Sequence, residues 1–538
     1  MNRLSDEVFD LLVIGGGITG AAIARDASLR GLSVALIERH DFAHATSAHN
    51  SRLIHGGLRY LRNFELGLVR ESLRERRIWL RVAPHLVRPL PFLLPLPASS
   101  FARRAMLSAG LALYDLLAFD SGWLADPDQR LHSHTWLNAR AARALEPCLE
   151  SLPIAGAFGY FDAQMYSPER LALECVLDAA KNGAVPANHL EAGQLLLRND
   201  RVEGTRVLDT VTKSAFDVRA SLTIVAAGPW ADVFLGGALG RPVRMLRLSK
   251  GIHLIVPTLT RGHALTMAAN GGHFFVLPWR NCTLLGTTDT AFDGSPDNVP
   301  VSEAEIEKFL RLVNAHLPSA RLMRDDVRYF YAGLRPLVDE GARSTYAASR
   351  RAELIDHGKE NGVGALLSVM GGKWTTSRAL AQKTVDRALQ VLGKRGRTCA
   401  TAARRLPGGA IDRVSCFMSE AKAKAGTLPN PDHLARLYGS RLPQLLAFPG
   451  ERPDLCQPLS ASGDIGAQIL LAIRQEMALT LEDVVMRRTG IGQEGHPGVD
   501  ALGKAATIMA AECGWSETRR RAEIESVAAN FRDRRSPA

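Results

Sequence analysis

DLLVIGGGITGAAIARDASLRGLSVALIE, residues 10–38, decides how the rest of the chain is read. Leu11 to Ile14 form a continuous apolar run suited to a buried strand, and Gly15, Gly17 and Gly20 complete a GxGxxG pattern. With 47 glycines among 538 residues the pattern alone carries little weight, so its surroundings decide. Over residues 18–30 the apolar Ala22, Ile23 and Ala27 share one helical face, Gly31 stops the helix, and Val34 to Ile37 form a second buried strand closed by Glu38. Gly15 serves the tight turn, Gly17 lets backbone N–H groups approach a pyrophosphate, and Gly20 lets helix and strand pack closely. The helix N-terminus favours phosphate, while Glu38 can accept hydrogen bonds from an adenosine ribose and disfavours a 2′-phosphate. The unit is expected to bind FAD or NAD rather than NADP, through Gly15, Gly17, Ile18, Thr19, Gly20, Glu38 and Arg39.

A chain of 538 residues exceeds what one core serves, so roughly two to four structural units are expected. Apolar residues at 46% and charged residues at 22% fit an ordinary globular protein and exclude collagenous or largely disordered chains. The net charge of +11 calls for an anionic partner: nucleic acid, an acidic membrane face or a phosphorylated substrate. Nucleic acid is not expected, because aromatics are only 6% and no basic stretch interleaves with them. Seven scattered cysteines without a CxxC pair argue against a disulfide framework or zinc site and for a reducing compartment. His132 and His134 lack further ligands nearby, so no metal is expected. Residues 8–24 lack the basic flank of a signal peptide, and no apolar run reaches the ~18–20 residues of a membrane span, so any membrane contact is expected to be peripheral.

A second strand-to-turn signal is LTIVAAGPWADVF, residues 222–234, where an apolar strand runs into Ala227, Gly228, Pro229 and Trp230. Small residues there let backbone approach a cofactor, although a plain strand and turn would read the same way. Between the two signals lies ATSAHNSRLIHGGLRYL, residues 45–61, and downstream come LGTTDT (285–290), GLRPL (333–337), GGKWTT (371–376) and ALTLEDVVMRRTGIG (478–492). Together these segments resemble FAD-dependent, quinone-linked glycerol-3-phosphate dehydrogenase from about Asp10 to Leu392 and on into the C-terminal region. Ala48, His49 and Asn50 stand where Ser and Ala are common in that family, and Ser377 stands where Tyr is usual. The resemblance implies FAD as cofactor and sn-glycerol 3-phosphate as substrate. A hydride would pass to the flavin, dihydroxyacetone phosphate would be formed, and electrons would go on to membrane quinone. A glycerol-3-phosphate oxidase using oxygen shares nearly all these motifs, and an amino-acid or amine oxidase is a more distant alternative suggested by AAGPW.

The residues agree with that chemistry. Thr46 and Ser47 follow the second strand where an open α/β sheet offers its carboxyl ends to ligand, so their hydroxyls can bond cofactor phosphates. Gly56 and Gly57 open space beside a flavin, with the cofactor-contacting His55 just before them, and Arg59 with Tyr60 combines a planar fork of donors with a directed O–H. Arg335 sits in a rigid Gly-x-Arg-Pro turn. Gly372, Lys373 and Thr375 lead into a helix whose N-terminus can stabilise an anionic reduced flavin. Lys373 either strengthens that effect or holds the substrate phosphate. Phosphate recognition needs several cations, since each charge-assisted hydrogen bond contributes ~1.5–3 kcal/mol net. Arg59, Tyr60, Arg335, Arg350, Lys373 and Thr375 are the expected set, with Arg351 an alternative to Arg350. For the catalytic base His55 and His253 both stand, with an arginine polarising the alkoxide, Arg335 foremost, as a third choice.

The expected architecture joins α/β and α+β parts. A Rossmann-like, discontinuous FAD-binding domain (1–85, 155–240, 325–395) is interleaved with an antiparallel-sheet substrate domain (86–154, 241–324). An all-α domain over 396–538 follows, with Thr480 and Asp483 forming a capping box. Arg70, Arg74, Arg77 and Arg81 recur at helical spacing as a face more suited to solvent than to lipid. The apolar runs LVRPLPFLLPLP and AMLSAGLALYDLLAF, flanking Arg103 and Arg104, are expected to dock on an anionic membrane surface. A cytoplasmic protein held peripherally on the inner face of the cytoplasmic membrane follows, and a homodimer is compatible with it.

Overall fold

A computed structural model describes residues 2–97, 101–269, 272–339, 352–426, 428–450 and 452–532. Val8–Ile14 lies at the centre of an eight-stranded sheet, parallel to Val34–Ile37 on one side and Ala215–Val225 on the other. Val185–Ala187 extends the sheet beyond Val34–Ile37, and Leu366–Gly371 followed by antiparallel Ala352–Asp356 extends it beyond Ala215–Val225. All four residues of Val34–Ile37 are buried, as expected of a parallel strand covered on both faces. Strand alternation sets the layers. Leu11 and Val13 join a core with the helices Ile18–Leu29, Pro168–Lys181 and Ser377–Leu392, while Leu12 and Ile14 face Leu190 and Val207 of the hairpin Leu190–Arg198/Arg201–Asp209.

The second sheet has ten strands and is mostly antiparallel. Leu246–Val256 pairs with Cys282–Gly286 and along its length with Tyr329–Val338, and the sheet continues through Gly272–Trp279, Ala264–Ala269, Val87–Pro97 and Ile154–Met165. One face packs on the helix Glu303–His316, which starts at a reciprocal Ser302–Glu305 cap. The other face is covered by the C-terminal region, where Val484, Val485 and Met509 meet Ile255, Leu284 and Tyr331. That region is helical from Val414–Ala425 to Glu517–Arg532. The cap anticipated at its centre is present: the Asp483 N–H donates to Thr480 Oγ1 at 3.2 Å and the Thr480 N–H donates to Asp483 Oδ2 at 3.0 Å.

Ile154–Met165 and Tyr329–Val338, grouped by sequence with the nucleotide-binding segments, both run in the ten-stranded sheet. The proline-rich run expected at a membrane surface is also inside it. Val87–Pro97 pairs along its whole length with Ile154–Met165, but its other neighbour meets it only at Phe92 and Leu93, because Pro89, Pro91 and Pro95 offer no N–H. All seven cysteines are free thiols.

Candidate active site

A cleft of about 730 Å³ runs from the carboxyl end of Val8–Ile14 to the second sheet. Its floor is the glycine turn. Gly15 adopts φ 111°, and a Cβ there would run into the Ala226 carbonyl, so the two strand-to-turn signals meet back to back. A Cβ on Gly20 would strike the Gly15 carbonyl oxygen, which is why helix and strand can pack so closely. Gly17, Ile18 and Thr19 line the cleft at the N-terminus of the helix Ile18–Leu29. The Ile18 N–H there donates to Ser47 Oγ at 2.9 Å, so Ser47 caps the helix that points at the cleft.

Glu38 lines the cleft, with its carboxylate accepting from the Gly16 N–H at 2.6 Å and the His40 N–H at 2.9 Å. Burial pushes its carboxyl upward from the ordinary range despite these bonds. Thr46 also lines the cleft, and its hydroxyl donates to the Leu334 carbonyl at 2.7 Å. At one end of the cleft Arg39 stacks 5.4 Å from the Trp230 ring, and both side chains bond Asp297 from a loop of the other sheet, Trp230 Nε1 at 2.8 Å. Ala227 and Gly228 (φ 54°) form the opposite wall. Gly371 and Gly372 take φ 67° and 97°, which brings Lys373 and Thr375 to the cleft just ahead of the helix Ser377–Leu392.

A smaller chamber of about 170 Å³ shares with the cleft a wall made by Ser51, Leu53, His55 and Arg335. Arg335 lies in the strand Tyr329–Val338, opposite Ser249 of Leu246–Val256. It donates to Ser249 Oγ at 3.0 Å, Thr287 Oγ1 at 2.7 Å and the Thr288 carbonyl at 3.0 Å, with Asp289 at 3.7 Å. Tyr60 lines the chamber, buried over Gly57, and the Lys373 ammonium stands 4.5 Å from its ring centre. His253 is buried and bonds Ser51 Oγ through Nε2 at 2.9 Å. Its ring stacks on Tyr331, which stacks in turn on His49. Burial first, then the charges of Arg335 and Arg52, push its pKa well below the ordinary imidazole range, so it is neutral at pH 7.

The fold therefore gathers His55, Tyr60, Arg335 and Lys373 about one junction from three separate sequence segments, with His253 on the cleft wall beside them. Gly56 packs behind the turn. The Arg59 side chain and Arg350 lie outside the described residues. Several residues of the junction carried no sequence signal: Ser51, Asp162, His273 and Asp289 are each polar residues of ordinary-looking strands or turns. Ser51 and Asp289 stood inside recognised motifs, ATSAHNSRLIHGGLRYL and LGTTDT, without being singled out there. Among the described residues no cluster of three or more His, Cys, Asp or Glu can hold a metal ion.

The geometry fits a flavin dinucleotide: a glycine cradle at a helix N-terminus, an acidic residue after the second strand, and a cleft long enough to reach a second, substrate-sized chamber. Comparison with known proteins agrees. Residues 10–378 match the family of FAD dependent oxidoreductases, and residues 399–520 match the C-terminal domain of alpha-glycerophosphate oxidase. The chain is 37% identical to a glycerol-3-phosphate dehydrogenase of Synechocystis, over 96% of this chain and 95% of that one. It is 33% identical to the mitochondrial glycerol-3-phosphate dehydrogenase of Mesocricetus auratus, over 96% of this chain and 72% of that one. Among solved structures, the glycerol-3-phosphate dehydrogenase of Bacillus halodurans complexed with FAD superposes with a TM-score of 0.79 at 28% identity, covering 99% of this chain and 96% of that one. Cradle, cleft and likeness along nearly the whole length lead to one assignment: the chain belongs to the FAD-dependent glycerol-3-phosphate dehydrogenase family of FAD-dependent oxidoreductases.

Proposed function

We propose that the protein oxidises sn-glycerol 3-phosphate to dihydroxyacetone phosphate and passes the electrons to a membrane quinone. The observation that carries this reading is the substrate-sized chamber opening onto the flavin cleft through His55 and Arg335, with Tyr60 and Lys373 beside it. FAD, when bound, supplies the two-electron acceptor for the hydride leaving the substrate's central carbon. His55, reaching both spaces, takes the proton of the hydroxyl on that carbon, and the carbon–oxygen double bond forms as C–H and O–H bonds are lost. His253, neutral and held by Ser51, shapes the wall beside it. Arg335, held at the chamber wall by Ser249, Thr287 and Thr288, brings its positive charge to substrate oxygen. Lys373 and Arg59 complete the neutralisation of a phosphate dianion, with Tyr60 and Thr375 as hydroxyl donors. Thr375 and the helix N-terminus behind Lys373 favour negative charge on the flavin side.

Peripheral docking on the inner face of the cytoplasmic membrane is supported by the helix Phe101–Leu117 and its neighbours. Met106, Leu116, Phe119, Trp123 and Phe64 are exposed apolar side chains, and Arg103 and Arg104 lie exposed on the same helix. Arg70 and Arg77 are instead occupied with the buried Asp120, at 2.8 and 3.3 Å. Among the described residues no helix is long and apolar enough to cross a membrane. Oxygen as acceptor is the second reading, favoured by the C-terminal match to an oxidase domain, and parallel assays with quinone and oxygen separate the two. The primary test is anaerobic mixing of the yellow protein with sn-glycerol 3-phosphate. Bleaching of the flavin is expected, and a spectrum that stays oxidised overturns the proposal.

A further inference from the structure

His55 lies in a turn whose two successive backbone N–H groups are pinned from opposite sides. On the flavin side, the His55 N–H donates to Thr375 Oγ1 at 3.2 Å. On the chamber side, the next N–H, of Gly56, is shared between Tyr114 Oη at 3.0 Å and Asp162 Oδ1 at 3.1 Å. The second pin is built with unusual care. Asp162, Tyr114 and Arg76 are all buried and come from three different elements: the strand Ile154–Met165 and the helices Phe101–Leu117 and Leu66–Val82. Tyr114 Oη donates to Asp162 Oδ1 at 2.9 Å, and Arg76 Nη1 donates to the same oxygen at 2.5 Å and to the Phe161 carbonyl at 2.9 Å. Burial and the adjacent Asp162 hold the Tyr114 phenol protonated, so its hydroxyl remains a donor. One helix braces both pins. Arg76 holds Asp162, and Trp79, one turn further, donates through Nε1 to the Thr375 carbonyl at 3.1 Å. The turn has no slack of its own. A Cβ on Gly56 would meet Leu73 and Tyr114, and one on Gly57 would meet the Tyr60 ring.

A buried aspartate and arginine pair is costly to desolvate and contributes little net stability compared with apolar packing, so its placement against one backbone N–H at the chamber wall calls for a role in positioning. We propose that Asp162, set by Tyr114 and Arg76, is a positioning residue that fixes the turn His55–Gly57 and thereby aims the His55 ring at the boundary between chamber and cleft. The inference rests on the reading of His55 as the proton acceptor. The flavin-side pin stays with Thr375 and does not depend on Asp162, so loss of the chamber-side pin slows the chemical step without releasing cofactor or substrate.

Tyr114→Phe removes the hydroxyl that takes the Gly56 N–H and donates to Asp162, while leaving the Arg76–Asp162 charges matched. Asp162→Asn is the second variant. The measurement is anaerobic stopped-flow reduction of the bound flavin by sn-glycerol 3-phosphate, giving a limiting rate and a half-saturating concentration, in the wild-type and in the His55→Ala background. Each variant is expected to lower the limiting rate at least tenfold, with flavin content and half-saturation held within twofold. In the His55→Ala background the further loss from Tyr114→Phe shrinks to less than twofold, because both changes act through one ring. A purely structural role would slow both backgrounds alike, and that outcome overturns the inference, as does a wild-type rate in Tyr114→Phe or loss of flavin from both variants. A wild-type protein that is not bleached at all overturns the functional reading itself, and this inference with it.

Discussion

Glu476 is where the C-terminal helices are fastened to the back of the nucleotide-binding unit, and replacing it by Gln tests how firmly. The carboxylate is fully buried and accepts a two-pronged contact from Arg170, Nη1 and Nη2 each at 2.6 Å, and a third bond from Arg441 Nη1 at 2.9 Å. Burial alone would raise its pKa, but the charges of Arg170 and Arg441 bring it down from 4.5 to about 2. A depression of that size corresponds to about 3 kcal/mol of stability at neutral pH. An independent route gives the same scale, since removing one partner from a buried ion pair costs about 3–5 kcal/mol. The sign follows from the depressed value: the contribution is complete above pH ~4.5 and fades as pH falls toward 2, with about 2 kcal/mol already gone at pH 3. Glu476→Gln carries no such titration. Urea unfolding of wild type and variant, followed by tryptophan and flavin fluorescence at pH 7 and pH 3, should show a difference of about 3 kcal/mol at the higher pH and about 1 kcal/mol at the lower. A difference below about 1 kcal/mol at pH 7, or one that is the same at both pH values, refutes this account of the join.

Three further outcomes are expected. Gly20→Ala forces a side chain onto the Gly15 carbonyl, so the purified protein should lack the yellow absorbance near 450 nm, an expectation that a stoichiometrically loaded variant would sink. Arg335→Ala removes charge-assisted bonds of ~1.5–3 kcal/mol each from the chamber wall, so kcat/KM for sn-glycerol 3-phosphate should fall about 10- to 100-fold with flavin content unchanged; steady-state kinetics indistinguishable from wild type would remove Arg335 from the site. Neutralising Arg103 and Arg104 together should weaken sedimentation with anionic vesicles about 30-fold, at ~1 kcal/mol per charge, and unaltered binding would move the docking surface elsewhere.

What was legible in the sequence is what local spacing encodes. The strand, glycine turn, helix and acid of residues 10–38 fold as read because each residue's task is settled by neighbours within a few positions. GGKWTT was readable for the same reason, since Gly371 and Gly372 turn the backbone and bring Lys373 to the cleft, whereas the rigid turn expected of GLRPL is in fact part of the strand Tyr329–Val338, and Arg335 owes its place to that strand's pairing with Leu246–Val256. The rest depends on contacts that no spacing announces. Ser47 reads as a phosphate ligand from its place after the second strand, but no spacing announces that its hydroxyl also accepts the Ile18 N–H, 29 residues away, at the start of a helix. Asp162 is one of two buried polar residues, with Gln164, in a mostly apolar strand, and its meaning comes from Gly56, 106 residues earlier. The run LVRPLPFLLPLP is apolar enough for lipid or for a core, and only the neighbouring strand Ile154–Met165, absent from any local window, decides for the core.

The same distinction explains the motif LEDVVMRRTGIG, which the family resemblance brought out but to which no chemistry could be attached. Its two arginines reach back across the molecule to Asp41, 446 and 447 positions earlier, Arg487 through Nε at 2.6 Å and Arg488 through Nη1 and Nη2 at 2.5 and 2.7 Å. Asp41 follows Glu38 by three positions, and the intervening Arg39 and His40 line the cleft, as do His44 to Ser47 beyond it. The carboxylate is fully buried, and the two guanidinium charges hold it ionised against that burial. Asp483 adds a bond to Arg487 at 3.0 Å and one to His189, whose own N–H donates to the His40 carbonyl at 2.7 Å. The stretch of cleft wall between Glu38 and Ser47 is therefore clasped to the C-terminal helices by one buried carboxylate and two buried guanidinium groups. The C-terminal helices are thus joined directly to a segment that lines the cleft, and the pairing of Asp41 with Arg487 and Arg488 is the contact that joins them.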